Sequence, residues 1–362
     1  MRIGIDGRSL LETEPSGVSI YTAELIRALA QLPHAHELKI FLSGANLPTK
    51  RLAWLKTLPH TTIHHLRWPN KLFHCAALFG LAPKIDMVCG GVDVLFAPNW
   101  HMLPRSVNVP LVLTVHDMAY TLYPQFLSWR RQLWHLAIRP AVVLRQAKKI
   151  IAVSQTTAAS LQAYAAKVTV VHSAVPSLPS AEPVLELPQQ YVVCVGTLEP
   201  RKNLMALVAA LQRYRSNQPN SKLHLVLLGS SGWRSGKLRR QLQQDDFVHY
   251  FGYITPGQKR FVIERAAALF YPSIYEGFGF PPLEALAVGT PVVTSNTGAL
   301  PEVLGLSAWY CNPYSQQDLV TLLQMFAERP RINPPYYQST WQSLHWQNTA
   351  AATLRVLEQA VY

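Results

Sequence analysis

Residues Ser273–Pro301 read SIYEGFGFPPLEALAVGTPVVTSNTGALP. Two carboxylates, Glu276 and Glu284, stand eight positions apart. Between them, Gly277 and Gly279 let the backbone turn tightly and approach a ligand closely. Pro281 and Pro282 end the loop and preset a first helical turn. The spacing predicts a helix over Leu283–Val288, with Gly289 as its C-terminal cap. A short β-branched strand over Pro291–Thr294 follows. Glu284 is thereby expected in the first turn of a helix whose leading amides lack partners. A helix start behind a Gly-rich loop suits phosphate oxygens. Carboxylates beside it accept hydrogen bonds from sugar or ribose hydroxyls. A single Glu here would more often be a helix cap or a solvated loop acid. The whole arrangement, Glu276, Gly277, Phe278, Gly279, Phe280 and Glu284, points instead to a nucleotide-sugar pocket.

Working outward, Tyr191–Val195 is an apolar strand, followed by Gly196-Thr197-Leu198-Glu199-Pro200-Arg201-Lys202-Asn203 before a helix. Adjacent Arg and Lys at a helix start suit a diphosphate, because both bind it without a metal. The first half of the chain has a similar plan. Arg2–Ile5 is a strand closed by Asp6-Gly7. Gly17 lies in the next loop, and Tyr21, Leu25, Ala28, Leu29 and Leu32 then mark one helical face. Leu111–Val115 is a continuous apolar run, hence a central parallel strand. His116-Asp117 follows it directly, at the carboxyl end where open α/β sheets bind ligands. Alternating strands and helices in both halves predict doubly wound parallel sheets. The expected division is an N-terminal acceptor-binding domain over 1–175, a nucleotide-sugar-binding domain over 176–340, and a helix over 341–362 crossing back to the first domain. Ser173–Pro188, with four prolines, reads as the linker. The loop Ser230–Gly236 reads as flexible and close to the expected site.

The pattern YEGFGFPPLEA, with GTLEPRKN, the His-Asp pair after a strand and IGIDGR at the start, resembles family 4 retaining glycosyltransferases. The Glu-x(7)-Glu stretch carries the most specific part of the match, and the wider pattern covers most of the chain. The resemblance implies the GT-B fold, two Rossmann-like domains facing a central cleft. It implies that Glu276 holds sugar hydroxyls, Glu284 the ribose, and His116 the transferred sugar. Arg201 and Lys202 would take the diphosphate. Lys202 matches the family's Lys; the family's Arg falls where this chain has Thr197, leaving Arg201 as the candidate to replace it. Of the family's glycine cluster in the first domain only Gly17 carries over. The base is expected against backbone near Tyr253 and Ile254. The departing phosphate itself can take the acceptor's proton, so no protein general base is assigned.

There is no Asp-x-Asp and no His/Cys cluster with zinc spacing, so no metal and no cofactor are expected beyond the nucleotide-sugar substrate. The pattern looks most like bacterial mannosyltransferases of surface-polysaccharide assembly. That implies GDP-mannose as donor and a lipid-diphosphate-linked saccharide as acceptor. A UDP-sugar is the rival donor, and a non-transferring enzyme of the same fold, such as an epimerase, stands further off.

Charge adds a second theme. The 362 residues hold 33 Lys and Arg against 20 Asp and Glu. The excess is concentrated in 1–175, with 18 against 8. That half implies an anionic partner. Basic residues interleaved with aromatics at Lys50–Lys56 and Arg67–Phe73 suit an interfacial membrane patch. Phe126–Lys149 reads as one long helix, kinked at Pro140, carrying Arg130, Arg131, Arg139, Arg145, Lys148 and Lys149 without an acid. Anionic headgroups would meet such a face at ~1 kcal/mol per residue. A basic nucleic-acid-binding protein is the alternative class; it lacks zinc-finger and RNA-recognition motifs and leaves the glycine loops without a role. No run is long enough to span a bilayer, and the N-terminus lacks a signal-peptide core. The four scattered cysteines read as free thiols. The expected location is the cytoplasm, peripheral on the inner face of the plasma membrane.

Overall fold

Continuous apolar runs make the central strands. LVLTV at 111–115 and YVVCV at 191–195 are buried along their whole lengths, as strands covered on both faces must be. The computed structural model describes residues 1–33, 36–184, 186–232, 242 and 245–362, with the side chains of Arg131, His135 and Thr340 outside that set. Two units emerge. The first comprises Met1–Met118, Trp129–Ala174 and Leu344–Tyr362; the second comprises Ala119–Ser128 and Val175–Ser343.

The first unit is a parallel sheet of seven strands in the order β3-β2-β1-β4-β5-β6-β7. These are β1 (Arg2–Asp6), β2 (Glu37–Ser43), β3 (Thr61–Leu66), β4 (Val94–Ala97), β5 (Leu111–Val115), β6 (Lys149–Ala152) and β7 (Val168–Val170). The second unit holds six parallel strands in the order β10-β9-β8-β11-β12-β13. They are β8 (Tyr191–Val195), β9 (His224–Leu228), β10 (Val248–Gly252), β11 (Leu269–Tyr271), β12 (Val292–Ser295) and β13 (Trp309–Cys311). In each sheet the strand order reverses once, between β1 and β4 and between β8 and β11. Ligands of open α/β sheets bind beyond the carboxyl ends of strands at such reversals.

The helix Gly17–Ala30 buries Tyr21, Leu25 and Leu29, and Tyr21 meets Trp346 of the helix Trp346–Val361, centroids 5.7 Å apart. In the second unit, helices Leu204–Asn217 and Gln316–Glu328 close one core with Leu207, Leu211, Leu323 and Phe326, all fully buried. Each such side chain stabilises by about 1.5–3 kcal/mol.

Three expectations need correction. The long basic helix does not form. The chain instead makes a 3-10 turn Pro124–Phe126, a helix Trp129–Ile138, a left-handed residue Arg139 (φ 53°) and a helix Pro140–Gln146, and Lys149 opens β6. Pro140 has no N–H to continue the first helix and sits instead in the first turn of the next. Its cations are therefore spread over separate elements, and 119–128 belongs with the second unit. The 50–56 patch also turns inward, with Leu52 and Leu55 buried and Trp54 covered by the Arg27 guanidinium at 4.0 Å. Phe73 of the second patch is fully buried. Finally, the helix expected from Leu283 begins at Phe280 and ends at Ala287.

Candidate functional site

The strand reversal of the second sheet carries a compact charge cluster. The 3-10 turn Pro200–Lys202 follows β8, and the loop after β11 delivers Glu276. Glu276 Oε1 accepts from Lys202 Nζ at 2.7 Å, and Oε2 from Arg201 Nη1 at 2.8 Å. The same Nη1 donates to the Tyr275 carbonyl at 2.7 Å, while Nε and Nη2 of Arg201 both donate to Glu199 Oε1. Lys202 also reaches the Tyr271 hydroxyl at 2.5 Å. All four charged side chains are largely buried.

Burial by itself would raise the Glu276 carboxyl. Arg201 and Lys202 outweigh it and hold the group at about 2. Lys202 is pushed up: burial opposes its charge, but Glu276 and Tyr271 prevail. The four charges sum to zero, which is how so many fit in a buried place. Asn203 adopts a left-handed conformation (φ 58°) and starts the helix Leu204–Asn217. The backbone behind Glu276 is clamped as well. Ala299 N donates to the Glu276 carbonyl at 2.9 Å. A Cβ on Gly298 (φ 62°) would stand 2.7 Å from that carbonyl oxygen.

Glu284 is only 1% exposed. It lies in the second turn of the helix Phe280–Ala287, not the first as expected, and the first turn carries no acid. Lys259, from the helix Pro256–Arg265, donates to its Oε1 at 2.6 Å. Its Oε2 is buried with no hydrogen-bond partner among the described residues. A buried carboxylate oxygen left bare costs ~1–3 kcal/mol or more until something donates to it. The helix start also offers fewer donors than the sequence suggested, since Pro281 and Pro282 have no N–H. Gly279 (φ 104°) precedes it, and a Cβ there would meet Leu300 at 2.7 Å. Phe278 is buried and packs edge-on against Phe280 at 5.8 Å.

The remaining expected residues lie as follows. Tyr253 is 40% exposed in the turn after β10, beside the half-buried Ile254. Gly17 opens the helix Gly17–Ala30 and is exposed; Ser16 caps that helix by accepting from Ser19 N. His116 follows β5, with Nε2 2.8 Å from the Pro98 carbonyl and its ring edge-on to Tyr21 at 4.7 Å. A carbonyl only accepts, so Nε2 carries the hydrogen and Nδ1 the lone pair. Burial lowers the His116 pKa and favours the neutral ring. Within the flexible-loop expectation, Trp233, Arg234, Ser235 and Gly236 lie outside the described residues.

The structure thus joins Arg201, Lys202 and Glu276, but gives Glu284 a different cation. Glu199, Tyr271, Lys259 and Gly298 were missed. Glu199 and Gly298 stood inside stretches already singled out. Lys259, 25 positions from Glu284, left no local signal. Among the described residues no group of three or more His, Cys, Asp or Glu is placed to hold a metal ion.

Comparison with known proteins matches this chain to a family. Residues 180–334 match the sequence model "Glycosyl transferases group 1", and residues 15–177 match "Glycosyltransferase Family 4". O-antigen chain mannosyltransferase B of Escherichia coli is 26% identical over 343 residues, 84% of this chain and 86% of that protein. O-antigen chain mannosyltransferase RfbU of Salmonella typhimurium is 25% identical over 246 residues, 66% of this chain and 67% of that protein. Among solved structures, sucrose-phosphate synthase of Thermosynechococcus elongatus shares the fold with a TM-score of 0.70 at 21% identity, covering 99% of this chain and 98% of that one.

Proposed function

The chain belongs to glycosyltransferase family 4, a retaining hexosyltransferase of GT-B fold, and from that premise we propose that it transfers mannose from GDP-mannose to a lipid-linked saccharide. The observation that carries the donor site is the bare, buried Oε2 of Glu284 within the same unit as the Arg201–Lys202 pair. A ribose hydroxyl donating to Oε2 supplies the missing partner. The donor's diphosphate is the natural ligand of Arg201 and Lys202, both of which pair with Glu276. On binding, the cations trade carboxylate for phosphate, and Glu276 is released to accept from sugar hydroxyls. The same cations then face the charge that develops on the departing diphosphate, stabilisation that costs no reorganisation at the moment of reaction. No metal is needed for that role. His116, neutral, offers Nδ1 to a substrate hydroxyl.

Mannose is favoured by two of the relatives, both named as mannosyltransferases and each matched over about two thirds or more of its length. A UDP-sugar remains the competing donor, because subfamily likeness fixes donor poorly. Calorimetry of GDP-mannose, UDP-glucose, UDP-GlcNAc and GDP in EDTA decides between them. Binding of GDP-mannose in EDTA, lost in Lys202→Ala, supports the proposal. Binding of a UDP-sugar alone overturns the donor, and binding that needs a divalent ion overturns the metal-free reading.

For the acceptor we propose a lipid carrier reached from an anionic membrane surface. No helix among the described residues is long and apolar enough to cross a membrane. Helices Asn70–Leu78 and Trp129–Ile138, joined where His74 meets Trp134 at 4.9 Å, leave large apolar side chains exposed. Leu136 (71%) and Trp129 (64%) are chief among them, Phe79 (78%) and Leu81 (76%) follow directly after the first helix, and Lys71 and Arg130 are exposed on the helices. Such a mixture suits shallow insertion with anionic headgroups around it. Co-sedimentation with phosphatidylglycerol vesicles, lost in Phe79→Asp combined with Leu81→Asp, is expected; sedimentation unchanged in the double variant removes this surface from the account.

A further inference from the structure

The strand reversal of the first sheet holds a second buried charge cluster that the donor site does not use. Asp6 is the last residue of β1, and His101 follows β4, the two strands between which the order reverses. Arg8 binds Asp6 in a two-pronged pair, Nε to Oδ1 and Nη2 to Oδ2, both at 2.8 Å. Arg8 Nη2 also donates to the Met102 carbonyl, and its guanidinium lies 5.1 Å from the Phe73 ring centroid. His101 Nδ1 stands 2.9 Å from Asp6 Oδ2. The Asp6 and Arg8 side chains are 0% and 2% exposed, whereas the His101 side chain is 18% exposed.

The geometry fixes hydrogens. Burial would raise the Asp6 carboxyl, but Arg8 and His101 overcome it and hold the group far below the usual carboxylate range. An ionised Asp6 only accepts, so His101 donates from Nδ1, and neutral His101 leaves its lone pair on Nε2. Among the described residues Nε2 has no hydrogen-bond partner. Arg8 Nη1 in turn donates to His74 Nε2 at 3.2 Å. Burial and the adjacent Arg8 push His74 down to about 4, so it is neutral and able to accept. The His74 ring stacks at 6.2 Å from His101 and stands edge-on to Trp134, which is 37% exposed.

We propose that this cluster is a saccharide subsite of the first unit, in which His101 Nε2 accepts a hydrogen bond from a sugar hydroxyl and Trp134 packs against the apolar face of the ring. It is the arrangement carbohydrate binding calls for: an oriented polar atom and a partly exposed aromatic in one cluster, here linked through the His74 ring. Asp6 and Arg8 act through His101, fixing its tautomer as outer partners fix a ligating histidine. The cluster lies at the position where open α/β sheets take ligands. The proposal takes its ligand class from the glycosyltransferase reading, and it concerns the acceptor sugar alone. His101 touches the sugar itself, and Asp6 and Arg8 are the positioning residues behind it.

The test uses the full chain labelled with 15N-histidine, titrated separately with methyl α-D-mannopyranoside, methyl β-D-glucopyranoside and methyl β-D-N-acetylglucosaminide. The His101 imidazole nitrogens are followed after assignment with His101→Gln. A saturable shift of Nε2 with at least one glycoside is expected, weakened about tenfold in Trp134→Ala. Trp134 is exposed enough for that variant to fold, which its melting temperature checks. GDP binding measured on the same samples stays unchanged. An unmoved Nε2 with all three glycosides overturns the subsite, as does a shift that Trp134→Ala leaves intact. Absence of GDP and UDP binding in the wild type would instead strike the donor reading.

Discussion

The two strand reversals solve one electrostatic problem in two ways. At β8/β11 two carboxylates face two cations, and Glu276 shares both Arg201 and Lys202. At β1/β4 one carboxylate faces one fixed cation, and two histidines, His101 on Asp6 and His74 on Arg8, extend the network toward solvent. On the proposed reading the first arrangement can exchange partners, since a diphosphate would match what Glu276 gives up. The second cannot: Arg8 and Asp6 are locked by double hydrogen bonds, so only the imidazole edge is left to meet a ligand. On these two proposals one site receives charge and the other recognises hydroxyls.

The largest expected effect tests the locked pair. Arg8→Met leaves Asp6 buried without its cation and should cost about 3–5 kcal/mol of stability, read as a lower midpoint in urea unfolding. A loss below about 1 kcal/mol would mean that water already reaches Asp6, and the contrast with the second site would collapse. Glu276→Gln tests the exchangeable pair. Transfer should fall about 10²–10³-fold, while GDP alone binds as tightly as in the wild type or more so, because the cations no longer compete for a carboxylate. Weaker GDP binding in Glu276→Gln would show that Glu276 organises the cations and does not block them. Glu284→Gln keeps the shape but weakens the acceptor offered to the ribose, with a donor affinity lower by about tenfold, on the order of one charge-assisted hydrogen bond. Equal losses for a 2′,3′-dideoxyribose donor analogue in wild type and variant would remove the ribose assignment.

The smallest effect is in acid. His74 has its pKa lowered from 6.5 to about 4. The unfolded chain therefore binds more protons in that window, and stability falls as pH drops from 6.5 towards 4. Glu276 is lowered from 4.5 to about 2, so its contribution is intact above 4.5 and lost only as pH falls towards 2. Replacing His74 by Phe should flatten the stability profile between pH 6.5 and 4, and Glu276→Gln should flatten it below 4.5. Other buried histidines share the upper window, so the difference from wild type is the quantity to compare. Identical slopes for wild type and His74→Phe would show that His74 is not held neutral by burial and Arg8.

Legibility in the sequence followed chain distance. Glu276, Arg201 and Lys202 were found because each lies in a short stretch whose glycines and prolines announce a loop at a helix start. His101 and Lys259 were missed. Each is brought to its partner from 95 and 25 residues away, respectively, and neither stands in a motif. The long basic helix failed because Pro140 was read as a kink where it begins a new helix.

By itself the sequence determined that strands and helices alternate in two parallel-sheet units, because buried apolar runs and helical periodicity are local properties. It also determined that an adjacent Arg-Lys pair precedes a helix and that two Glu flank a glycine loop. Only the tertiary structure decided which charge meets which. Glu276 rather than Glu284 takes Arg201 and Lys202, Lys259 takes Glu284, and Asp6 is closed by Arg8 and His101. Pairing of buried charges depends on a few ångströms of separation in a low dielectric, and that separation is set by how the strands are ordered in the sheet.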